Sequence, residues 1–396
     1  MTATVFKDPQ QSHSLKRLLF GIFLLVLLIL HMTSLRVLRN SGTLPLNDFI
    51  EYWSSARVFL NGGNPYASAE LMPIQRSLGW RNSHPLMMWN PPWVLPLLVP
   101  FSMQSYWVDR ALWYLFSLVL TFVIADWFWR RFAGSRSRRW LSWLAAILFI
   151  PVGSALYLGQ ISPLLLLGLG GFLWAFERKR PGAAGIFLLF VSVKPHVLYL
   201  FWPIFLLWAI KYRQWRVLGG FVSAFLCACL LALFVNSSIF GRFFQSITSS
   251  SGPTVWQTPT WGVALLMWFP NESWIRFLPS FLGLLAACLL WRAWRNDFTW
   301  ARHLPTIILI SITSSSFTWT FDWIVLLPVV IVILAWFHAN PSRGWWLVGG
   351  LVLIFALAIL QPFREHNYFY SLWLPPALWL LYWAAAKCKR YSFTGP

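Results

Sequence analysis

Between residues 18 and 386 the chain is a succession of apolar stretches, many near bilayer-crossing length, separated by short basic or polar clusters. A spanning helix needs about 20 apolar residues, with a range near 17–25. The stretches cover 18–35, 91–105, 107–129, 140–157, 163–176, 183–193, 197–210, 215–235, 274–294, 304–320, 322–337, 345–360 and 368–386. Composition closes off the alternatives. Only 11% of the residues are charged and 58% are hydrophobic, whereas a soluble domain is about half apolar and a quarter charged. The 11 carboxylates of a 396-residue chain cannot keep a soluble surface wet. A soluble enzyme, a disordered tail protein and a secreted disulfide scaffold are excluded. The pattern predicts an all-α polytopic membrane bundle of about 11–13 spans, forming one integral domain over 1–396.

The net charge of +20 does not point to nucleic acid, because the basic residues lie in short clusters between apolar stretches rather than on one face. Such clusters set topology and meet anionic headgroups. The 18–35 stretch, preceded by Lys7, Lys16 and Arg17, reads as an uncleaved signal anchor. With the N-terminus inside, the clusters at 130–139, 177–180, 211–216, 292–302 and 387–390 and Arg343 fall on the cytoplasmic side, as does the C-terminus. That places the protein across the plasma membrane. The opposite side receives 36–90 and the segments near 160, 195, 236–273, 318 and 364. The alternation requires the proline-rich 91–105 stretch to enter the membrane without crossing it, or, if it crosses, one later segment to be re-entrant. The 29 Trp suit membrane interfaces, where the ring is buried and the N–H stays wet. Cys227, Cys229, Cys288 and Cys388 show no zinc or disulfide spacing and read as packing residues.

Several stretches within the 140–328 core are too short to cross alone, and polar motifs interrupt them: Gly159-Gln160 and Lys194-Pro195-His196. Broken helices at membrane depth are tolerated where they line a cavity, and in membrane proteins they mark working sites. A shallow loop between two tilted helices is the plainer alternative. The longest polar segment, 36–90, follows the first stretch. In it Asn47 or Asp48 is positioned as an N-cap, with Phe49, Tyr52, Trp53, Ala56 and Phe59 or Leu60 at helical spacing. Gly62-Gly63 ends that helix, Asn64-Pro65-Tyr66 turns, and a second helix follows over about 67–78. Both read as amphipathic surface helices.

In this segment "DFIEYWSSARVFLNGGNPY" resembles the first-loop signature of glycosyltransferase family 87, among the C-type (GT-C) glycosyltransferases. "NPPWVLPLLVPF" (90–101) is similar to that family's aromatic-Pro-Pro helix, with Asn90 where Tyr is usual. The run from "LGQIS" to "VKPHVLYL" resembles its Gly-Gln, Ala-Gly and Lys-Pro motifs, and "SSSFTWTFDWIVLLP" (314–328) its late Ser-rich segment. The resemblance implies a polyprenyl-phosphate monosaccharide donor, mannose being the first candidate sugar. It implies transfer to a glycan or glycolipid hydroxyl on the outer face, with inversion and without a cofactor. The family's first-loop Asp falls on Asp48, which would be the general base; the plain alternative is a helix cap. Some relatives carry a His near Asp322, and this chain has none there.

The residues themselves add candidates. A carboxylate at a partly desolvated mouth has its pKa raised and is a better base. Glu51, at i+3, shares its helix face as a partner or a solvated acid. Lys194 lies inside an apolar run, where a lysine is costly unless it has a function. Phosphate ligation, snorkelling and pairing with a buried acid are the three readings. Asp322 stands ready to bind sugar hydroxyls, pair with Lys194 or cap its helix. Gln160, Tyr52 and His196 complete the candidate donor site, while Arg242, Arg276 and Arg364 are further outer-side cations; His84 and Glu365-His366 have weaker claims. No Asp-x-Asp or Glu-x-Asp pair suggests a metal, and no Gly-rich phosphate loop suggests a nucleotide. A transporter or lipid flippase is the rival class, since broken helices and an intramembrane Lys suit it. Against it stand the absence of an inverted repeat and the gathering of polar motifs on one side.

Overall fold

The structure, a computed structural model, describes residues 46–133, 136–248, 256–339, 341–364 and 368–387. The 18–35 stretch, Cys388, Glu365-His366 and both termini lie outside them, and the side chain of Arg364 is likewise not described. Every regular element among the described residues is helical. Two surface-loop helices come first, α1 (Phe49–Leu60) and α2 (Ser68–Ser77). The short apolar segment Pro92–Phe101 follows, then the long α3 (Tyr106–Ala133). Ten helical residues reach about 15 Å, half of the hydrocarbon thickness, so Pro92–Phe101 does not cross on its own.

Four helices, Tyr106–Phe132, Trp215–Val235, Ser273–Trp294 and Thr320–Ala339, are long and apolar enough to span. A fifth forms if Trp140–Leu148 and Ile150–Leu158, bent by 66° at Phe149, count as one. The bend has a local cause, because Pro151 has no N–H to continue the ladder. The remaining apolar helices are 10–17 residues long, among them Pro163–Glu177, Pro181–Val191 and Phe201–Lys211. The expected 11–13 spans are therefore not that many whole crossings among the described residues. Sequence counting treats each apolar stretch as a span, whereas here several are half-length pieces joined by turns.

Burial sorts the spans. Thr320–Ala339 is central, with 83% of its apolar window buried, against 17% for Trp215–Val235 at the periphery. The peripheral helix shows Leu226, Leu230, Leu231 and Phe234 outward, as a lipid-facing surface does. Cys227 and Cys288 are exposed as well, so they are not core packing residues. Tryptophan is not confined to interfaces either: Trp113, Trp129 and Trp323 are among the largest fully buried side chains. Each can be buried where its indole N–H finds an acceptor; Trp323 donates to Thr318 Oγ1 at 3.2 Å. Small residues let helices approach. A Cβ on Gly185 would run into the Val217 carbonyl, and one on Gly220 into that of Gly182, which locks Pro181–Val191 against Trp215–Val235.

Two ends of the bundle differ chemically. At one end the basic loops meet each other: Arg131 with Glu177 at 2.6 Å, Arg138 with His338 at 3.4 Å, Lys211 with Asn296 at 2.8 Å. The segments near 48, 160, 195, 242, 257 and 320 gather elsewhere, around one chamber.

The Gly159-Gln160 break is what orients that chamber. Helix Ile150–Leu158 ends with Gly159 at φ +69°. Gln160 N bonds Ala155 O at 2.9 Å and Gly159 N bonds Leu156 O at 3.1 Å, a glycine-terminated helix end. Trp113 Nε1 donates to Gly159 O at 3.0 Å. An added Cβ at Gly159 would lie 2.7 Å from Phe49 Cβ. Only glycine permits both the left-handed turn and the approach of α1. Gly159→Ala is therefore expected to destabilise the fold by about 1–3 kcal/mol, read as a fall in apparent Tm in detergent. An unchanged Tm would count against this account of the break.

Candidate active site

The chamber has a volume of about 1390 Å³. Its charged lining is Asp48, Glu51, Asp322, Lys194 and Arg242. Four chain segments far apart in sequence deliver a continuous polar network to its wall. Asp48 Oδ2 accepts from Gln160 Nε2 at 2.6 Å. Gln160 Oε1 accepts from Tyr52 OH at 2.7 Å and from Lys194 Nζ at 2.9 Å. Lys194 Nζ also donates to Ser162 Oγ at 3.1 Å and to Asp322 Oδ1 at 2.7 Å. Ser162 Oγ donates to the same Asp322 oxygen at 2.7 Å. Phe321 places its ring 4.7 Å from the ammonium.

Local structure explains each position. Asp48 occupies the N-cap site of α1, yet its side chain makes no cap hydrogen bond. Asn47 takes that part: its Oδ1 accepts from Phe49 N at 3.3 Å, and its Nδ2 donates to Tyr157 O at 2.6 Å. Asp48 is thus released from capping and turned toward Gln160. Lys194 stands in the turn after Pro181–Val191, where Pro195 stops the helix. That turn is held by Asn90 Nδ2, which donates to Val193 O at 3.0 Å, while Asn90 O accepts from Tyr66 OH at 2.9 Å. The Asn-Pro-Tyr turn, the Asn-Pro-Pro segment and the Lys-Pro-His turn are thereby one assembly.

For Lys194 the alternative realised is the ion pair with a buried acid. An ammonium has three donors, and Gln160, Ser162 and Asp322 take all three. Lys194 is 7% and Asp322 1% exposed, so neither charge could be left in place without the other. Asp322 also caps its own turn, its Oδ2 accepting from Trp319 N at 3.0 Å. His196 lines the chamber and is exposed to it, and its carbonyl accepts from Ser315 Oγ at 3.2 Å. His84 lines it too. Arg276 is not in the lining. It is 3% exposed and ties Trp256 O, Thr258 Oγ1 and Ser316 O together, with Phe317 under its guanidinium at 4.0 Å.

Electrostatics separate the two acids of α1 from ordinary surface carboxylates. Burial raises the Asp48 carboxyl above its usual value, opposed by the Gln160 hydrogen bond and the Lys194 charge. Glu51 is pushed up well above its own, first by burial and then by Asp48 beside it. It lines the chamber rather than facing bulk water. The Tyr52 phenol, raised well above its normal range by burial and then by Glu51 and Asp48, stays protonated and able to donate. Among the described residues no group of three or more His, Cys, Asp or Glu is placed to hold a metal.

Some participants carry little signal in the sequence. Ser162, two residues after Gln160, bridges Lys194 and Asp322; its hydroxyl in a Gln-x-Ser spacing just before Pro163 is the one available clue. Asn47 is interchangeable with Asp48 as a cap by sequence, and only the structure divides their roles.

An all-helical bundle with membrane-length helices and a one-ended polar chamber defines a polytopic membrane protein with an internal reaction or binding site. The sequence profile of glycosyltransferase family 87 matches residues 89–316, more than half of the chain, and the chain belongs to that family. It is a glycosyltransferase, and membership favours the enzyme over the transporter. Gln160, Ser162, Lys194 and Arg242 lie within the matched stretch; Asp48 and Asp322 flank it. No curated protein and no solved structure matches the chain significantly.

Lys194→Met is expected to leave Asp322 buried without its cation and to destabilise the protein by about 3–5 kcal/mol. Adding Asp322→Asn should recover part of that loss. Apparent Tm values of the two single variants and the double variant check this; additive losses would mean that the pair is not coupled.

Proposed function

We propose that the chamber transfers a monosaccharide from a polyprenyl-phosphate donor to an acceptor hydroxyl, with Asp48 as general base. The observation that carries this reading is the state of Asp48. Its carboxylate is raised by burial, excused from helix capping, and steered into a large chamber by Gln160. Only Oδ2 is engaged by a described partner, which leaves Oδ1 for an incoming hydroxyl. A base must reach its proton directly or through one water.

The chemistry needs one carboxylate. Asp48 takes the proton of the acceptor hydroxyl as its oxygen attacks the anomeric carbon. The bond from that carbon to the phosphate oxygen breaks, and its electron pair leaves with the lipid phosphate. A single in-line displacement inverts the anomeric centre, and no covalent enzyme intermediate is formed. Lys194 and Asp322 act in this scheme as positioning residues. They hold the Gln160 amide, and Gln160 holds the base and lowers its pKa toward ionisation. Tyr52 fixes the same amide from the other side. His196, on the chamber lining, is a sugar-facing group. Mannose is the proposed sugar, and a glycan or glycolipid on the outer face the proposed acceptor. The chamber then opens to the outer face of the plasma membrane, with both termini and the basic loops in the cytoplasm.

Asp48→Asn is the first test. Asn is a good capping residue, so fold and Tm should hold while transfer from polyprenyl-phosphate mannose is lost; full activity would move the base elsewhere. The pH dependence is a second. Because the Asp48 pKa is raised, the base form is depleted as pH falls through a midpoint above the ordinary aspartate value of about 3.9. The acid limb of kcat/KM should therefore lie above that value. Gln160→Leu removes a hydrogen bond that lowers the pKa, so it should move the limb further up. A limb unmoved by that substitution would separate Asp48 from the titration.

A further inference from the structure

Arg242 is the cation of the chamber lining that the network leaves out. It lies on the short helix Ile239–Ile247. Arg242, Gln245 and Ser246, at i, i+3 and i+4, share one face and line the chamber. Phe244 on another face is 66% exposed, which suits a helix resting on lipid. The helix is fixed in place at its start and its middle. Asn236 Nδ2 donates to Gly63 O at 2.7 Å and to Gly62 O at 3.3 Å, and the Phe243 ring packs on Tyr66 with centroids 5.2 Å apart.

The guanidinium is unfinished. Arg242 Nη1 is enclosed, yet it has no hydrogen-bond partner among the described residues. Arg242 also forms no ion pair with a described carboxylate. Buried donors are nearly always paired, and an exception calls for a missing partner. Charge balance identifies its sign. Lys194 and Asp322 neutralise each other, which leaves Arg242 as the remaining Lys or Arg in a lining that also holds the carboxylates Asp48 and Glu51. A phosphate entering beside two carboxylates needs a cation with donors to spare. Lys194 has spent its three; Arg242 has not.

We infer that Arg242 binds the phosphate of the lipid-phosphate substrate, both the diester of the donor and the monoester that departs. The inference rests on the proposed donor class. It adds a catalytic role: as the bond from the anomeric carbon to oxygen breaks, a second negative charge gathers on the phosphate. A planar guanidinium already in place meets that charge with paired N–H groups. Positioning of the base and charge stabilisation of the leaving group then belong to different cations.

The test is binding, measured on the purified full-length protein in detergent with farnesyl phosphate, farnesol and inorganic phosphate as probes. Wild type should prefer farnesyl phosphate to farnesol. Arg242→Gln should lower farnesyl phosphate affinity about tenfold to a hundredfold, the size of one charged hydrogen-bonded contact. Its unchanged farnesol affinity would show that it is folded. Arg242→Lys, a point charge without the fork, should fall between the two and serves if the Gln variant does not fold. Asp48→Asn should not weaken farnesyl phosphate. If wild type binds both lipids alike, the donor class fails and the assignment with it. If the preference survives in Arg242→Gln, the assignment to Arg242 alone is overturned. Displacement of farnesyl phosphate by equal concentrations of inorganic phosphate would make this a free-phosphate site and overturn the lipid assignment.

Discussion

The buried contact between Lys194 and Asp322 organises the chamber. Two opposite charges at 2.7 Å, both withdrawn from water, are tolerated only when the remaining donors and acceptors are also satisfied. That demand recruits Ser162 and Gln160 on one side and Trp319 N on the other. Satisfying it pulls three chain breaks to one point: the glycine-terminated helix before Gln160, the proline-terminated helix before Lys194, and the turn that opens the central span. A packed apolar core could have joined these helices more cheaply. An ion pair fixes their register at one depth, because sliding any of the three breaks a charged hydrogen bond.

From that point the order passes outward by a single amide. Gln160 is a neutral connector whose carbonyl accepts from Lys194 and Tyr52 and whose NH2 donates to Asp48. The polarity of the ion pair is in this way delivered to a carboxylate on a surface-loop helix through a neutral side chain. Burial and this connection act on Asp48 in opposite directions. Burial wins, and the result is a carboxylate more basic than one in water.

Much of this arrangement is legible in the chain. The apolar succession and the scarcity of carboxylates define the class. Gln160 and Lys194 stand out because a polar residue next to a helix breaker in an apolar run has a large desolvation cost to offset, Asp48 through the resemblance of its segment to the family's first loop, and Asp322 as an acid at the start of an apolar stretch. The span count is less legible, since hydropathy measures the length of an apolar stretch and cannot register a 66° bend or a pair of half-length helices. Partner choice is hidden for a different reason. Lys194 and Asp322 are 128 residues apart, and local sequence offers several acids and cations of equal standing. Arg242 and Arg276 look alike in sequence. Arg276 is a buried strap between two loops and Arg242 faces the chamber, a distinction that only packing draws.

The tie from Asn236 to the carbonyls of Gly62 and Gly63 bears on how the chamber can widen. It joins the far end of the Asp48 helix to the beginning of the Arg242 helix, so these two walls behave as one jaw of constant span. Any widening for a substrate then falls to other parts of the lining. There Trp256 meets Trp89 and Trp319 through ring contacts, with centroids 5.9 and 6.3 Å apart. These edge-on and tilted ring contacts are not directional hydrogen bonds, whereas the Asn236 amide-to-carbonyl tie is. Rigidity is thus assigned to the part of the wall that carries Asp48 and Arg242, and compliance to the aromatic part.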